Sequence, residues 1–576
     1  AGRQPDPGDG TPTNGDPWGT WSGYYDWETT SLADTPNLWA ATIFLTGSST
    51  FADDLPAFSS STASVALRRT QQFAPAPDTL LLWSLRRLTD NAILQSGTVN
   101  AAADGVVTIP GLMLFKDSVR CRLEVRVPTA WTPTDLRLGS TALAYIDSEF
   151  APSAGDTRTV YFDSSLNVWI GHVSPDTGLF TTSTGQQQML GTGSLFGSLN
   201  VNGPEWGLDA QGSAVFFTGA DGNGIGQIFR ASPPFDAPVL TPLTNTTTGY
   251  THAIANATWN AVRGSTLLMG YRGIQSGSAW QSGTLQAFWM DEAQPGVLNF
   301  LPLPRGFYRW IPDSVLAAFV PAATGGGLTS GQIYLFDADT GTNRQVSNDA
   351  GSKVSPWGFY APELNGEMLI VAVVDETALA VYRDLSGGTG PWTRIATLTL
   401  PSGTGYTKLT SAEPIIRGRG VGGASFFTVE AQTASNDDSS IWILGLTLDA
   451  TPGFSRRVDD GAVTGAKASR RDPETFFGTD ELLVSYTLTG AGPSQMRTVR
   501  TGIYHQAPAA NFTRNGAQYE LTLPTRSGAN YQVQFSDNLT NWQNLGSSLL
   551  GNSFDQTWQI TPSNGVKEFY RVSIRP

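Results

Sequence analysis

A proline or tryptophan, a short polar turn and then a wholly apolar run recur about every 50–60 residues through the middle of this chain, the spacing of one repeated supersecondary unit. The clearest copies are Gly203-Pro204-Glu205-Trp206-Gly207-Leu208-Asp209 followed by Ala214 to Phe217, and Asp472-Pro473-Glu474-Thr475 followed by Leu482 to Tyr486. Between them stand Ala257-Thr258-Trp259 with Leu267 to Met269, and Trp310-Ile311-Pro312-Asp313 with Leu316 to Val320. Ala361-Pro362-Glu363-Leu364 with Leu369 to Val374, and Glu413-Pro414 with Phe426 to Val429, continue the series. Ala151-Pro152 with Val160-Tyr161-Phe162 begins it. Each unit reads as a small antiparallel sheet that cannot bury its faces alone and must stack on its neighbours.

Composition points the same way. With 63 Gly, 35 Pro and only 15% charged residues among 576, the chain is rich in turns. Apolar residues at i, i+3, i+4 and i+7 between helix caps are lacking, and short strand-like runs recur instead. The chain is therefore expected to be all-β. Seven repeats of roughly 53 residues fit residues 135–505, which predicts a seven-bladed β-propeller. Leu136 to Ile146 is expected to supply the outer strand that closes the last blade.

Charge and cysteine content exclude several classes. The net charge is −14 and the pI near 4.7, whereas phosphate binding needs a clustered cationic surface, so no nucleic-acid partner is expected. The basic pairs Arg68-Arg69, Arg86-Arg87, Arg456-Arg457 and Arg470-Arg471 read as solvated strand edges or turns. No stretch approaches the ~18–20 apolar residues of a membrane helix, so no membrane span is expected. Cys121 is the one cysteine, which rules out an intrachain disulfide. It lies on a period-2 strand with Val119, Leu123, Val125 and Val127 and reads as a small core residue. The chain starts Ala1-Gly2-Arg3 without an initiator Met, as a processed exported protein would. An extracellular or cell-surface location is expected, with the periplasm as the alternative.

Four segments are expected. Residues 1–35 form an extended N-terminal arm, of which 1–17 have a linker's composition. Asp6, Asp9, Asn14 and Asp16 lack the D-x-D-x-D-G form and closing carboxylate of a calcium loop, so no metal is expected. Trp18, Trp21, Tyr24, Tyr25 and Trp27 follow within ten residues and are the candidate partner-binding residues. They either pack on their own first domain or anchor the arm to a neighbouring subunit. Residues 36–133 are a β-sandwich, with strands at Leu38 to Leu45, Ser64 to Arg68, Leu80 to Arg86, Val106 to Ile109 and Val119 to Val127. The propeller occupies 135–505. Residues 511–576 form a small C-terminal β-sandwich around Tyr531, Val533 and Phe535, with Trp542 as its lid.

Three resemblances attach to these segments. The strand spacing of 36–133 resembles an immunoglobulin-like or fibronectin-III-like module. Glu205-Trp206-Gly207-Leu208-Asp209, Trp310-Ile311-Pro312-Asp313 and Ile333-Tyr334-Leu335-Phe336-Asp337-Ala338-Asp339-Thr340-Gly341 resemble TolB-like or WD40-like β-propeller repeats of secreted bacterial proteins. Val168-Trp169-Ile170-Gly171-His172-Val173-Ser174-Pro175-Asp176-Thr177-Gly178 repeats the last pattern. Tyr531-Gln532-Val533-Gln534-Phe535-Ser536 with Leu539, Trp542 and Phe569-Tyr570-Arg571-Val572 resembles the small C-terminal domain of exported proteins of Verrucomicrobia and Planctomycetes. That resemblance implies the cell exterior and no particular chemistry.

Catalytic groupings are not found. His172, His252 and His505 are the three histidines, none with a partner at metal-ligand spacing. There is no G-x-S-x-G elbow. Ser174-Pro175-Asp176-Thr177-Gly178 begins a sialidase-type turn, but the turn occurs once. Glu205, Glu363, Glu413 and Glu474 recur beside the repeat anchors, which favours a turn role over a paired-carboxylate site. The expectation is a non-enzymatic structural or interaction protein, without catalytic residues or cofactors, that self-associates as a homo-oligomer, filament or lattice. Other cell-surface proteins or glycans are further candidate partners. The alternative is a carbohydrate-binding or carbohydrate-active propeller with a central pocket of Trp and carboxylates.

Overall fold

The computed structural model describes residues 25–45, 60–131 and 148–575, apart from connecting stretches, chiefly 174–187, 193–202, 302–307, 416–423, 505–510 and 562–568. Among the described residues its named elements are β-strands and a short 3-10 turn at Pro362–Leu364. The chain divides into two compact units, Ala1–Thr129 with Arg500–Ala507, and Ala130–Val499 with Pro508–Pro576.

The first unit holds a five-stranded antiparallel sheet and a two-stranded sheet. The strand order in the larger one is Tyr25–Thr35, Leu38–Leu45, Cys121–Arg126, Leu80–Arg87, Ile93–Asn100. Ser60–Leu67 pairs with Val107–Phe115 in the smaller. Alternation sends Ala41, Ile43, Leu45, Cys121, Leu123 and Val125 into a core shared with Leu67, Val107, Ile109 and Leu114. Cys121 is thus the buried core residue its strand pattern implied. One expectation is corrected here. The stretch from Tyr25 to Thr35 is not an extended arm but the edge strand of the larger sheet, paired with Leu38–Leu45 through a bulge between Glu28 and Ala33. Asp34 fixes it by accepting the backbone N–H groups of Gln71, Gln72 and Phe73, which hold its carboxyl below the usual range.

In the second unit seven antiparallel sheets follow one another in β-propeller-like order. Sheets 1 to 6 begin at Glu149, Glu205, Tyr250, Arg309, Lys353 and Tyr406. Sheet 7 consists of Ser469–Phe477, Glu481–Gly490 and Gly492–Tyr504, of which residues up to Val499 belong to this unit, with Ala130–Trp131 as its fourth strand. The repeat anchors map onto first strands or their ends, and the apolar runs onto second strands. Glu205–Asp209 pairs with Gly212–Ala220, and Tyr250–Asn260 with Ser265–Ser276. The apolar runs lack alternation because both faces of each second strand are buried: Ile370 and Ala372 pack in one core, Leu369, Val371 and Val373 in the next. The fourth strand of sheet 7 differs from expectation, since Ala130 and Trp131 pair with Val499 and Thr498, and Leu136 to Ile146 lies outside the described residues.

Directional contacts link successive sheets. Trp206 donates its indole N–H to the Glu149 carbonyl at 2.9 Å, joining sheets 1 and 2. Thr218 Oγ1 receives Ile254 N–H at 3.0 Å, and Asn256 Oδ1 receives Trp310 N–H at 2.9 Å. The Tyr360 hydroxyl donates to the Pro312 carbonyl at 2.9 Å, tying sheet 5 to sheet 4. Glu363 takes both Ser425 N–H (2.6 Å) and Ser425 Oγ (2.8 Å), linking sheets 5 and 6. The Ser439 hydroxyl donates to the Arg470 carbonyl at 2.8 Å, linking sheets 6 and 7. Sheet 7 packs back on sheet 1 through Phe476, Leu483 and Met496 against Phe150, Tyr161 and Val173.

The turns follow from backbone chemistry. Gly341 in the Asp337-to-Thr342 turn has φ of 68°, where a Cβ would be strained, and Asp337 Oδ1 caps Asp339 N–H and Thr340 N–H. The C-terminal residues form one sheet of Asn511–Asn515, Gln518–Pro524 and Asp555–Ile560, and a second built on Asn530–Ser536. Tyr531 and Val533 are buried as expected, but the tryptophan on their core is Trp558, while Trp542 lies under the Arg571 guanidinium at 4.2 Å.

Candidate interaction surface

The five aromatic candidates separate. Trp18, Trp21 and Tyr24 lie outside the described residues. Tyr25 opens the edge strand, packs against the core of its own unit, and its hydroxyl lies 2.9 Å from Ser61 Oγ. Two residues on, Trp27 has the same parity and pairs with Ile43, yet it is 58% exposed. Leu32, on the same strand, is 50% exposed. The edge strand therefore buries its first aromatic and presents its second. Leu32 carries no signal in an extended arm; its exposure follows from the edge strand, which bulges between Glu28 and Ala33.

The four recurrent glutamates occupy different kinds of position. Glu205 opens its first strand, Glu413 stands next to last in its own and Glu474 lies within another, opposite Phe216, Thr428 and Ser485 respectively. Glu363 sits on the 3-10 turn, with both carboxylate oxygens engaged by Ser425. Among the described residues no cluster of three or more His, Cys, Asp or Glu could hold a metal ion. His172 is exposed in sheet 1, His252 is buried in sheet 3, and His505 lies outside the described residues.

Two of the basic pairs behave contrary to expectation. Arg470 is fully buried and Arg456 is 6% exposed. Arg470 is tolerated there because its guanidinium meets Asp438 at 3.1 Å, Asp459 at 3.5 Å and the Ser439 carbonyl at 3.0 Å. Asp459 also receives Ile441 N–H at 2.7 Å and Arg457 Nε at 2.9 Å; burial nonetheless pushes its carboxyl above the ordinary range. Asp438 accepts the Tyr406 hydroxyl at 2.6 Å, and burial together with that carboxylate pushes the phenol up to about 12. A single sequence shows neither Asp438 nor Asp459 as a partner, because the pairing spans two sheets. Every charge here is met by another protein group, so the cluster works as a joint between sheets.

Two hollows beside the sheets are lined by described residues. One of about 550 Å³ lies between the last strands of sheets 5 and 6, lined by Thr397, Leu400, Ser402, Leu444 and Phe454 among others, with neither Trp nor carboxylate. The other, about 370 Å³, holds Asp221, whose Oδ1 is engaged by Asn223 N–H and Ile225 N–H. Neither matches the Trp- and carboxylate-lined central pocket of the carbohydrate alternative. No described helix is long and apolar enough to cross a membrane.

No protein-family model matches the chain, and no curated protein matches it. Among solved structures, a Mycobacterium tuberculosis puromycin-hydrolyzing peptidase is similar at 13% identity and TM-score 0.37, over 69% of this chain and 61% of that one. A Trypanosoma rangeli sialidase is similar at 8% identity and TM-score 0.33, over 76% and 88%. A Dyadobacter fermentans protein of unknown function is similar at 13% identity and TM-score 0.32, over 52% and 93%. These likenesses are loose, and the fold described above rests on this chain's own strand pairing.

Proposed function

We propose that this chain is a non-enzymatic, exported structural or interaction protein that self-associates through its N-terminal segment. In this reading the seven sheets form one closed seven-bladed propeller and the first unit is an immunoglobulin-like module. The observation that carries the reading is Trp27, a large indole 58% exposed on an edge strand. An edge strand presents unpaired N–H and C=O groups, and an exposed aromatic beside it adds apolar area for a partner. Tyr25 supplies the base, since it is half-buried against the core and lies beside Ser61. The engagement of Glu363 by Ser425, and of Asp438 and Asp459 by arginines, supports a role for the acidic residues in joining sheets.

Sedimentation velocity of the protein and of Trp27→Ser tests the reading. Association is expected to weaken at least about tenfold in the variant, the loss of roughly 1.4 kcal/mol or more that a contacting indole supplies. Equal association by both proteins would remove Trp27 from the contact.

A further inference from the structure

Sheet 3 contains an arginine held by aromatic rings rather than by a carboxylate, as Arg309 of sheet 4 is held over Trp357. Arg230 pairs with Glu292 at 2.6 Å, Arg383 with Glu367 at 2.7 Å and Arg344 with Asp384 at 3.2 Å. Arg272, in the same acidic chain, has no carboxylate within 4 Å among the described residues. The sheet-3 connections outside that set, 277–278, 281–284 and 302–307, contain no Asp or Glu. The guanidinium carbon instead lies 4.3 Å from the Tyr250 ring centre and 3.9 Å from that of Phe300. Those rings are 37% and 42% exposed, so the stack reaches the surface.

The rings fix the side chain and leave the edge of the guanidinium as its hydrogen-bonding side. Gln286 Oε1 takes one N–H of Nη2 at 2.7 Å. The other four of its five donors have no partner among the described residues, and Nε is buried. Directly opposite Arg272 on the neighbouring strand is His252, which is fully buried and faces the Gly226 backbone, with neither ring nitrogen in a hydrogen bond of good geometry. Phe288 meets the imidazole edge-on at 5.9 Å. Buried polar groups are seldom left unsatisfied in structural positions, so a ring-held arginine with its fork open beside a buried imidazole points to a ligand.

We propose that Arg272, with Tyr250, Phe300, Gln286 and His252 around it, is a binding site for the carboxylate of a small molecule such as an acidic sugar. A planar fork of N–H donors matches the two oxygens of a carboxylate. The exposed rings offer apolar flanks to the ligand's body, and His252 lies beside Arg272 as a further hydrogen-bonding group. This site is separate from the N-terminal segment and does not depend on self-association.

With three histidines in the chain, imidazole NMR of the histidine-labelled protein reports on the site directly. Titration with sodium glucuronate at fixed ionic strength is expected to move the His252 signal saturably, with half-saturation in roughly the millimolar range. Glucose should leave it unmoved. Arg272→Lys, which keeps the charge and loses the fork, should weaken binding at least about tenfold. Should that variant misfold, glucuronate must still raise the melting temperature of the unaltered protein above that in equimolar chloride. A His252 signal and a melting temperature indifferent to glucuronate overturn the proposal, as does an equal response in well-folded Arg272→Lys. Saturation by inorganic phosphate but not glucuronate overturns the carboxylate assignment.

Discussion

Phe150 and Phe476 stack face to face, with ring centres 3.9 Å apart and planes 8° from parallel, across the junction of the first and seventh sheets. The two residues are 326 positions apart in sequence. The contact joins the ends of the repeat series, where a stack of sheets would otherwise leave two open faces.

Phe476→Ala should therefore destabilise the second unit by about 3–5 kcal/mol, the cost of emptying a buried phenyl site. Phe476→Leu should cost less. Urea unfolding followed by tryptophan fluorescence measures both, and a change under about 1 kcal/mol for the alanine variant would deny the junction its role.

The buried ion cluster gives a second expectation. Arg470→Met leaves Asp438 and Asp459 without their guanidinium in a buried place, and should cost about 3–5 kcal/mol. Adding Asp459→Asn removes one stranded charge and should recover part of that loss. A double-mutant cycle measures the coupling, and additive effects would contradict the joint.

His252 makes stability depend on pH. Burial, then the Arg272 charge, lowers its pKa from 6.5 to about 4. The folded state thus binds fewer protons than the unfolded state in between, and this contribution is complete above about 6.5 and lost as pH falls towards 4. A shift of that size corresponds to on the order of 3 kcal/mol. Comparing unfolding free energies at pH 7 and pH 4.5, His252→Leu should lose less stability than the unaltered protein; equal losses would show that His252 does not carry the term.

Cys121 is 1% exposed in the core of the first unit. Its thiol should resist an aromatic disulfide reagent in the native protein and react fully once urea unfolds that unit. Rapid labelling of the native protein would contradict the packing described.

The repeat was readable because each second strand is buried on both faces and so is written as an unbroken apolar run, as in Leu369 to Val374. The fourth strand of sheet 7 was misplaced, since Ala130-Trp131 is two residues long and pairs with strand residues more than 360 positions away. Local pattern carries no information about such a partner. Tyr25 and Trp27 were read as one aromatic group because residues 1–35 read as an arm with no strand faces, whereas in the edge strand one is packed and the other open. The burial of Arg470 was illegible for a related reason: doubled arginines look solvated until their acidic partners on other strands are known.

Self-association through the N-terminal segment is tested most directly by native mass measurement across a concentration series, for the full chain of 61.4 kDa and for its Trp27→Ser variant. The account predicts an open-ended series of multiples for the full chain, weakened in the variant, whose first unit stays folded because Trp27 is exposed. A single monomeric species at every concentration, or equal assembly by both, would contradict it.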